Sequence, residues 1–417
     1  MKRLFEDFFS KVSAPILGFY LSSLSLFFVN APQAYAESST SSKTYVITGS
    51  ETEIKAAKDA ISLGVFENSI QISHDLKNLS GFVFKAHPES LEKIRARLGL
   101  QLQVEEDFEV SIADHVLQSD DFSDSSLEHW IEHFGRLTLD QTLSISDAGA
   151  PPDSQNVPWG IDKVKALSAF SKSKGAGVIV CTVDTGVDPT HPDLRNNIIG
   201  GESIVRSSWR WYPWGDDNGH GTHVAGIIAA ENNSFGVVGV APEAKIFAVK
   251  AMDSMGTGYS SGVADGIQSC IQNNAKVINL SLASPSDSAL IHKAIQSAVN
   301  KGITVVAASG NFGSNVSYPA KYPEVIAVSA INSKSEWLSL SNHGPEIQFT
   351  APGEDVLSTL PYGRYGKMTG TSMASPHVAG VAALALASGK QRIVGDDIGL
   401  TKEQEGNGLI NAEKSVL

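Results

Sequence analysis

Residues Val178-Ile-Val-Cys-Thr-Val183 form an unbroken run of apolar and β-branched side chains. Without polar alternation, such a run reads as a strand covered on both faces, the situation in a parallel sheet flanked by helices. It ends at Asp184-Thr-Gly-Val187, which leaves a carboxylate at the carboxyl edge of the strand. Open α/β sheets place their ligand crevices at that edge. Val277-Ile-Asn-Leu-Ser-Leu282 reads as another strand.

Two further segments carry chemistry. Asn218-Gly-His220-Gly-Thr-His-Val-Ala-Gly226 is a loop running into an apolar helix, with His220 at the helix start. Gly370-Thr-Ser-Met-Ala-Ser-Pro-His-Val-Ala-Gly380 sets one hydroxyl, Ser372, among small residues, and Met373 to Leu386 can pack as a buried helix. A helix N-terminus offers free N–H groups and a positive dipole end, which suits a nucleophile whose attack creates an oxyanion. Taken singly, Ser372 could be an ordinary helix cap, and spacing alone does not bring three side chains together. Asp, His and Ser in that chain order are nonetheless one of the known solutions to the triad geometry.

With Ala308-Ser-Gly-Asn311 between the second and third segments, the chain from about Gln155 to Leu417 resembles the subtilisin-like serine proteases. The resemblance implies a three-layer α/β domain with a mostly parallel sheet, and some 260 residues suffice for one large core. It implies Ser372 as nucleophile, His220 as general base and Asp184 as the acid that orients the imidazole. Asn311, alone only a turn residue after Gly310, becomes the side-chain donor of the oxyanion hole beside the Ser372 N–H. His223 lacks an acidic partner at metal-site spacing and is expected to be structural, as is His377 after Pro376. Met373 borders the nucleophile, so sensitivity to peroxide is expected.

The same resemblance assigns substrate binding to two edges, Leu282-Ala283-Ser284 and Gly256-Thr-Gly258-Tyr-Ser260, between which a peptide could add as a strand. Ala283 and Ser284 stand where the family often has glycines, which narrows the pocket mouth. Ser317 matches the pocket base, and without a carboxylate there the expected preference is for apolar or aromatic residues before the cut. The polar loop Glu231-Asn-Asn-Ser-Phe-Gly-Val237 has no metal signature of its own. By resemblance it wraps a structural calcium ion, with side-chain oxygens from Asn233, Asp193 and Gln155 and carbonyls from Glu231, Phe235 and Val237. Six to eight such oxygens suit calcium. No organic cofactor is expected.

Residues 1–36 read as a secretory signal: Lys2, Arg3 and Lys11, an apolar stretch from Ile16 to Val29, and a small-x-small site at Ala34-Tyr-Ala36. That stretch is short for a membrane anchor. Residues 37–110 read as a small ferredoxin-like α+β unit, with strands at Tyr45-Val-Ile47, Gly81-Phe-Val-Phe84 and Gln101 to Val110 and a helix from Glu89 to Leu98. Gly-Phe-Val-Phe-Lys, Ser-Leu-Glu-Lys-Ile and Val-Glu-Glu-Asp in this unit resemble the subtilisin propeptide, a folding chaperone and inhibitor whose tail lies in the cleft. Residues 111–153 are an acidic linker, part of it a candidate helix from Leu127 to Phe134, in which the maturation cut is expected. Residues 154–417 form the peptidase domain, and no further domain is expected after Gly408-Leu-Ile-Asn-Ala412.

Charge follows these divisions. Residues 37–153 carry nine Lys/Arg against 21 Asp/Glu, while residues 154–417 carry 20 against 22. The peptidase domain is thus almost neutral, which argues against nucleic-acid or electrostatic membrane binding. Expected partners are polypeptide substrates and the chain's own propeptide, on a secreted monomer.

Cys181 lies in the first buried strand and Cys270 on the helix before Val277. Free core thiols are the expectation, since cysteine packs as a small hydrophobe, although an exported chain also permits a disulfide. Neither matches a catalytic position. The leading reading is therefore an exported, self-inhibited serine endopeptidase. A narrow-specificity processing protease and a catalytically inactive binding or scaffold protein on the same fold are the alternatives.

Overall fold

The structure is a computed structural model that describes residues 42–62, 70–88, 90–91, 102–112, 154–205 and 211–417. Residues 1–36, most of the helix expected over Glu89 to Leu98, and all but two residues of the 111–153 segment lie outside them.

The N-terminal unit pairs β1 (Lys43–Thr48), β2 (Ile70–Asp75), β3 (Gly81–Ala86) and β4 (Gln103–Glu106) in the order β2-β3-β1-β4, with antiparallel neighbours. Helix α1 (Glu51–Ser62) covers one face, closing a core of Tyr45, Ile47, Ile54, Ala57, Phe82 and Phe84. Alternate residues of the same strands, Val46 and Val83, point the other way into the large domain. The strand expected over Gln101 to Val110 is broken. β4 stops at Glu106, and β5 (Glu109–Ile112) belongs to a different sheet. The break falls at Asp107, whose N–H donates to Thr44 O while its carboxylate turns to another element.

In the large domain the strands are β6 (Ile179–Asp184), β7 (Ile198–Ser203), β8 (Lys245–Lys250), β9 (Thr257–Tyr259), β10 (Val277–Leu280), β11 (Leu282–Ala283), β12 (Thr304–Ala308), β13 (Ile326–Ile331), β14 (Ile347–Pro352), β15 (Val356–Leu360), β16 (Arg364–Met368), β17 (Val394–Asp396) and β18 (Leu409–Asn411). Nine form one sheet in the order β17-β18-β14-β13-β12-β10-β6-β8-β7, parallel except at the β17–β18 edge. The period of two in side-chain direction separates two cores. Val180, Ile246, Ala248, Val277 and Val306 face helices α2 (His220–Ala229) and, later in the chain, α5 (Thr371–Ala387). Val183, Val249, Ile278 and Val305 face α3 (Ser260–Gln272) and α4 (Ala289–Asn300). This is the three-layer α/β architecture expected from the buried strands.

Chain order reverses beside β6, which has β8 on one side and β10 on the other. The carboxyl ends of β6 and β10 thus flank a topological switch point, where a crevice opens. The strand expected through Leu282 ends at Leu280 instead. Ser281 is the corner, after which β11 leaves the parallel sheet for the small antiparallel sheet β11-β5-β9.

The expectation of free thiols is overturned. Cys181 and Cys270 form a disulfide, with Cα atoms 5.7 Å apart, tying β6 to α3. Cys181 points to the α3 side of the sheet, where Cys270 sits on the inward face of its helix, so two buried small hydrophobes are also bonding partners.

Candidate active site

Asp184 ends β6 and His220 begins α2, and both are almost wholly buried. The imidazole Nδ1 lies 2.7 Å from Asp184 Oδ1, an oxygen that also accepts the Thr185 N–H at 2.7 Å. The approach is close because Gly221 follows His220. A Cβ there would lie 2.1 Å from Gly186 O, so any larger residue would push the helix away from the Asp184 loop.

Ser372 stands in the first turn of α5, beyond Gly370, as its sequence context suggested. Pro376, inside this helix, has no N–H to give the carbonyl four residues earlier. That carbonyl belongs to Ser372, and the Ser281 hydroxyl donates to it at 2.9 Å. In return the Ser372 hydroxyl donates to Ser281 O at 3.2 Å. Asn279 Nδ2 donates to Ser281 Oγ, and Ser375 Oγ donates to Asn279 Oδ1, so the end of β10 and the start of α5 are locked together.

Asn311 follows Gly310, whose φ of 103° favours glycine and whose Cβ would lie 2.5 Å from Asn342 Nδ2. The Asn311 oxygen accepts from the Thr371 N–H at 2.9 Å and the Thr371 hydroxyl at 2.8 Å. Because a backbone N–H must meet the oxygen, the orientation of the amide is fixed with its NH2 as the donor end.

The two expected substrate edges come together around β5. Ser111 pairs with Ala283 of β11 and with Thr257 of β9, and Val110 pairs with Gly258. Ile112 N–H donates to Gly256 O at 2.9 Å. Ala283 packs on Ala308, and Ser284 exchanges backbone hydrogen bonds with Tyr318. Ser317 Oγ accepts from Asn342 Nδ2 at 3.0 Å.

Sequence reading missed two organisers. Asn342 ties together Ser309, Phe312, Ser314 and Ser317 through both ends of its amide. Asp216, fully buried, accepts from Thr185 Oγ1, Asn218 N, Gly219 N, Thr222 N and Thr222 Oγ1, joining the Asp184 loop to the start of the His220 helix. Burial pushes its carboxyl above the usual range while those donors pull it back. Its signal was a carboxylate four residues before His220. His223 is structural, with Nε2 at 2.9 Å from Val356 O and 3.1 Å from Gly366 O, and His377 Nδ1 lies 2.8 Å from Met373 O.

The residues named for calcium also gather. Gln155 reaches Glu231 O at 2.8 Å, Val237 O at 3.3 Å and Asn233 Oδ1 at 3.4 Å with its amide end. Asp193 accepts from Asn233 Nδ2, Val237 N and Tyr365 OH. Phe235 joins through its N–H to Asn233 Oδ1. Here the Gln155 NH2 group, as donor, meets the oxygens of Glu231, Asn233 and Val237; with that amide turned to present Oε1 instead, one carboxylate, two amide oxygens and the carbonyls would make an all-oxygen set of the kind a hard cation takes. Among the described residues no group of three or more His, Cys, Asp and Glu side chains is placed to hold a metal.

Besides the apolar contacts of Val46, Leu76, Val83, Val110 and Ile112, the N-terminal unit meets the large domain through carboxylates. Asp107 accepts from Ser261 N at 2.9 Å and both hydroxyls of Ser260 and Ser261, at the start of α3. Glu105 accepts from Ser288 Oγ at 2.7 Å and Leu290 N at 3.2 Å, at the start of α4. Both helix N-termini are thereby supplied with a negative charge from the other unit. Asp265 of α3 reciprocates, accepting the N–H groups of Lys77 and Asn78.

Comparison with known proteins agrees with this geometry. The model of the subtilase family matches residues 175–412. Subtilisin E of Bacillus subtilis (strain 168) is 49% identical over 240 residues, which is 56% of this chain and 62% of that relative. Subtilisin of Bacillus pumilus is 49% identical over 240 residues, 56% of this chain and 86% of the relative. M-protease of Shouchella clausii (strain KSM-K16) is 47% identical over 263 residues, covering 62% and 68%. The match thus spans under two thirds of the length of subtilisin E, and more of the other two. Its extent over the large domain is sufficient: the chain belongs to the subtilase family.

Proposed function

We propose that the chain is a serine endopeptidase, exported as a precursor whose residues 43–112 block its own cleft. The observation that carries this reading is the 2.7 Å Asp184–His220 pair at the switch point of the sheet, with Ser372 in the first turn of a helix packed beside it. Asp184 fixes the Nδ1–H tautomer, leaving Nε2 to take the Ser372 proton as Oγ attacks a peptide carbonyl. The proton then passes to the leaving amine, and water hydrolyses the acyl-enzyme. The Asn311 NH2 and the Ser372 N–H stabilise the oxyanion. The hydroxyl's bond to Ser281 O is exchanged for the one to His220 when substrate arrives.

β5 supports the inhibitory role of the N-terminal unit, because it fills the cleft by strand addition, the mode an extended substrate uses. Val110 and Ile112 are buried there among Met252, Leu280 and Leu282, which favours apolar residues on the acyl side of the cut. Calcium at Gln155, Asp193, Asn233 and the carbonyls of Glu231, Phe235 and Val237 would hold the start of the domain to its body. Export rests on residues 1–36; among the described residues no helix is long and apolar enough to cross a membrane.

An organophosphonate tests the reading. The matured protein should be labelled on one serine, and Ser372→Ala should abolish both labelling and peptide hydrolysis. A matured protein that is neither labelled nor active is the inactive scaffold instead.

A further inference from the structure

The N-terminal unit marks the cleft beyond the end of the strand ladder. β5 pairs with β9 through Ser111, Val110 and Glu109, the last opposite Tyr259. One residue upstream, Phe108 O accepts the Ser260 N–H at 2.9 Å. At Asp107 the contact passes from backbone to side chain. Its Oδ1 accepts the Ser260 hydroxyl at 3.0 Å and the Ser261 N–H at 2.9 Å, and its Oδ2 accepts the Ser261 hydroxyl at 2.8 Å. A carboxylate is thus seated on the first turn of α3, in line with the strand that fills the cleft.

Every donor in that seat belongs to the large domain. α3 has 13 residues, yet its N-cap, Tyr259, makes no side-chain capping bond and its first turn holds no acidic residue. A helix start of this kind leaves N–H groups and a positive dipole end without an internal partner. Ser260 and Ser261 are 0% and 2% exposed, and among the described residues only Asp107 accepts from their hydroxyls. Asp265, further along α3, faces the N–H groups of Lys77 and Asn78 instead. Burial pushes the Asp107 carboxyl up, while the Ser261 N–H and the two hydroxyls pull it back toward the charged form. Departure of the N-terminal unit empties the strand slot and this seat together.

We propose that the matured enzyme uses the start of α3 as a distal subsite for a substrate aspartate, taken up by Ser260 and Ser261 as Asp107 is here. The inference rests on the peptidase reading above. β5 supplies the frame. Ile112 lies opposite Leu282, so the next residue of a substrate in this antiparallel register lies opposite Ser281. Ser281 O holds the Ser372 hydroxyl, which puts the attacked carbonyl on that residue. Asp107 precedes Ile112 by five residues, so the selected aspartate is the sixth residue before the one attacked. Phe108, Val110 and Ile112 oppose a slip in this frame, because alternate positions pack in one apolar cluster.

The test compares acetylated peptide p-nitroanilides on the matured protein. Asp-Phe-Gln-Val-Ser-Ile-Leu-p-nitroanilide carries the acid in register. A second peptide has Ala in place of Asp, and a third, Asp-Ala-Phe-Gln-Val-Ser-Ile-Leu-p-nitroanilide, moves the acid one residue outward. The first should have a kcat/KM about tenfold above the other two, the scale of hydrogen bonds to a charged group. Ser261→Asp puts a carboxylate in the seat itself, where an acidic residue suits a helix start. There the ratio of the first peptide to the second should fall to one or below, and a general loss of activity does not alter a ratio. The wild-type series decides by itself where this variant fails to mature. Equal kcat/KM for the first two peptides, in a protein labelled at Ser372, overturns this inference and leaves the peptidase reading standing. So does an advantage that survives in Ser261→Asp or follows the acid outward. No hydrolysis and no labelling overturn both.

Discussion

The Ser372 carbonyl oxygen, deprived of a helical partner by Pro376, receives the Ser281 hydroxyl at 2.9 Å. A helix-breaking residue and a strand corner therefore complete each other directly beneath the Ser372 hydroxyl. Ser281→Ala leaves a buried carbonyl unsatisfied, at a cost of about 1–3 kcal/mol. The expected outcome is a lower Tm and a kcat reduced more than KM is raised, measured on a chromogenic peptide. An unchanged Tm would show that another donor replaces the hydroxyl.

Asn311 is held with its oxygen on Thr371, so its NH2 end alone is offered as donor. Asn311→Leu should lower kcat by about 100- to 1000-fold with little change in KM, the range for deleting one oxyanion donor in sites of this family. A loss confined to KM would place Asn311 in ground-state binding.

The Cys181–Cys270 bridge closes a loop with a sequence separation of 89. On a chain-entropy model a loop of this size gives about 4–5 kcal/mol. The double variant Cys181→Ala/Cys270→Ala, compared in a Ser372→Ala background to suppress self-digestion, should unfold at a markedly lower denaturant concentration. Both sulfurs are buried, so thiols should be titratable by reductant and Ellman-type reagent only after unfolding.

Chelation should lower the Tm of the Ser372→Ala protein, and added calcium should restore it through mass action. Asp193→Asn should abolish this response because it removes the carboxylate from the donor set. Equal Tm values with chelator and with calcium would reject the site.

His223 is held down to about 3, by burial first and by the neighbouring His220 second, and His377 down to about 4 by burial. Both must remain neutral in the fold, whereas unfolded histidines protonate near 6.5. Their contribution is fully present above about 6.5 and is lost as pH falls from there toward about 4. Each should cost about 1.4 kcal/mol per pH unit in that window. Denaturant unfolding at pH 7, 6 and 5 checks the slope, and His377→Gln should make it shallower.

The chemistry-bearing segments were legible because each combines a periodicity with an unusual residue at its end. Val178–Val183 declared a doubly covered strand, and it occurs one residue displaced, as Ile179–Asp184. The small residues after Ser372 declared a buried helix, found as Thr371–Ala387. Gln101 to Val110 and Val277 to Leu282 each misled in the same way. A continuous β-compatible run does not reveal that the chain changes sheets in the middle, because Asp107 and Ser281 are turned by partners distant in sequence. Asn342 and Asp216 were invisible for a related reason: an Asn or Asp in a polar loop acquires meaning only from the N–H groups folded around it.

By itself the sequence determined the doubly covered strands, the order Asp184, His220, Ser372, and the separation of an acidic N-terminal part from a nearly neutral domain. These are properties of neighbouring residues, set by side-chain polarity and backbone period. Only the tertiary structure decided the 2.7 Å Asp184–His220 contact, the Cys181–Cys270 bond and the seating of Glu109–Ile112 between Thr257–Tyr259 and Leu282–Ala283. Each joins segments tens to more than a hundred residues apart. Distance in space there is fixed by strand order and register in the sheets, which local pattern does not encode.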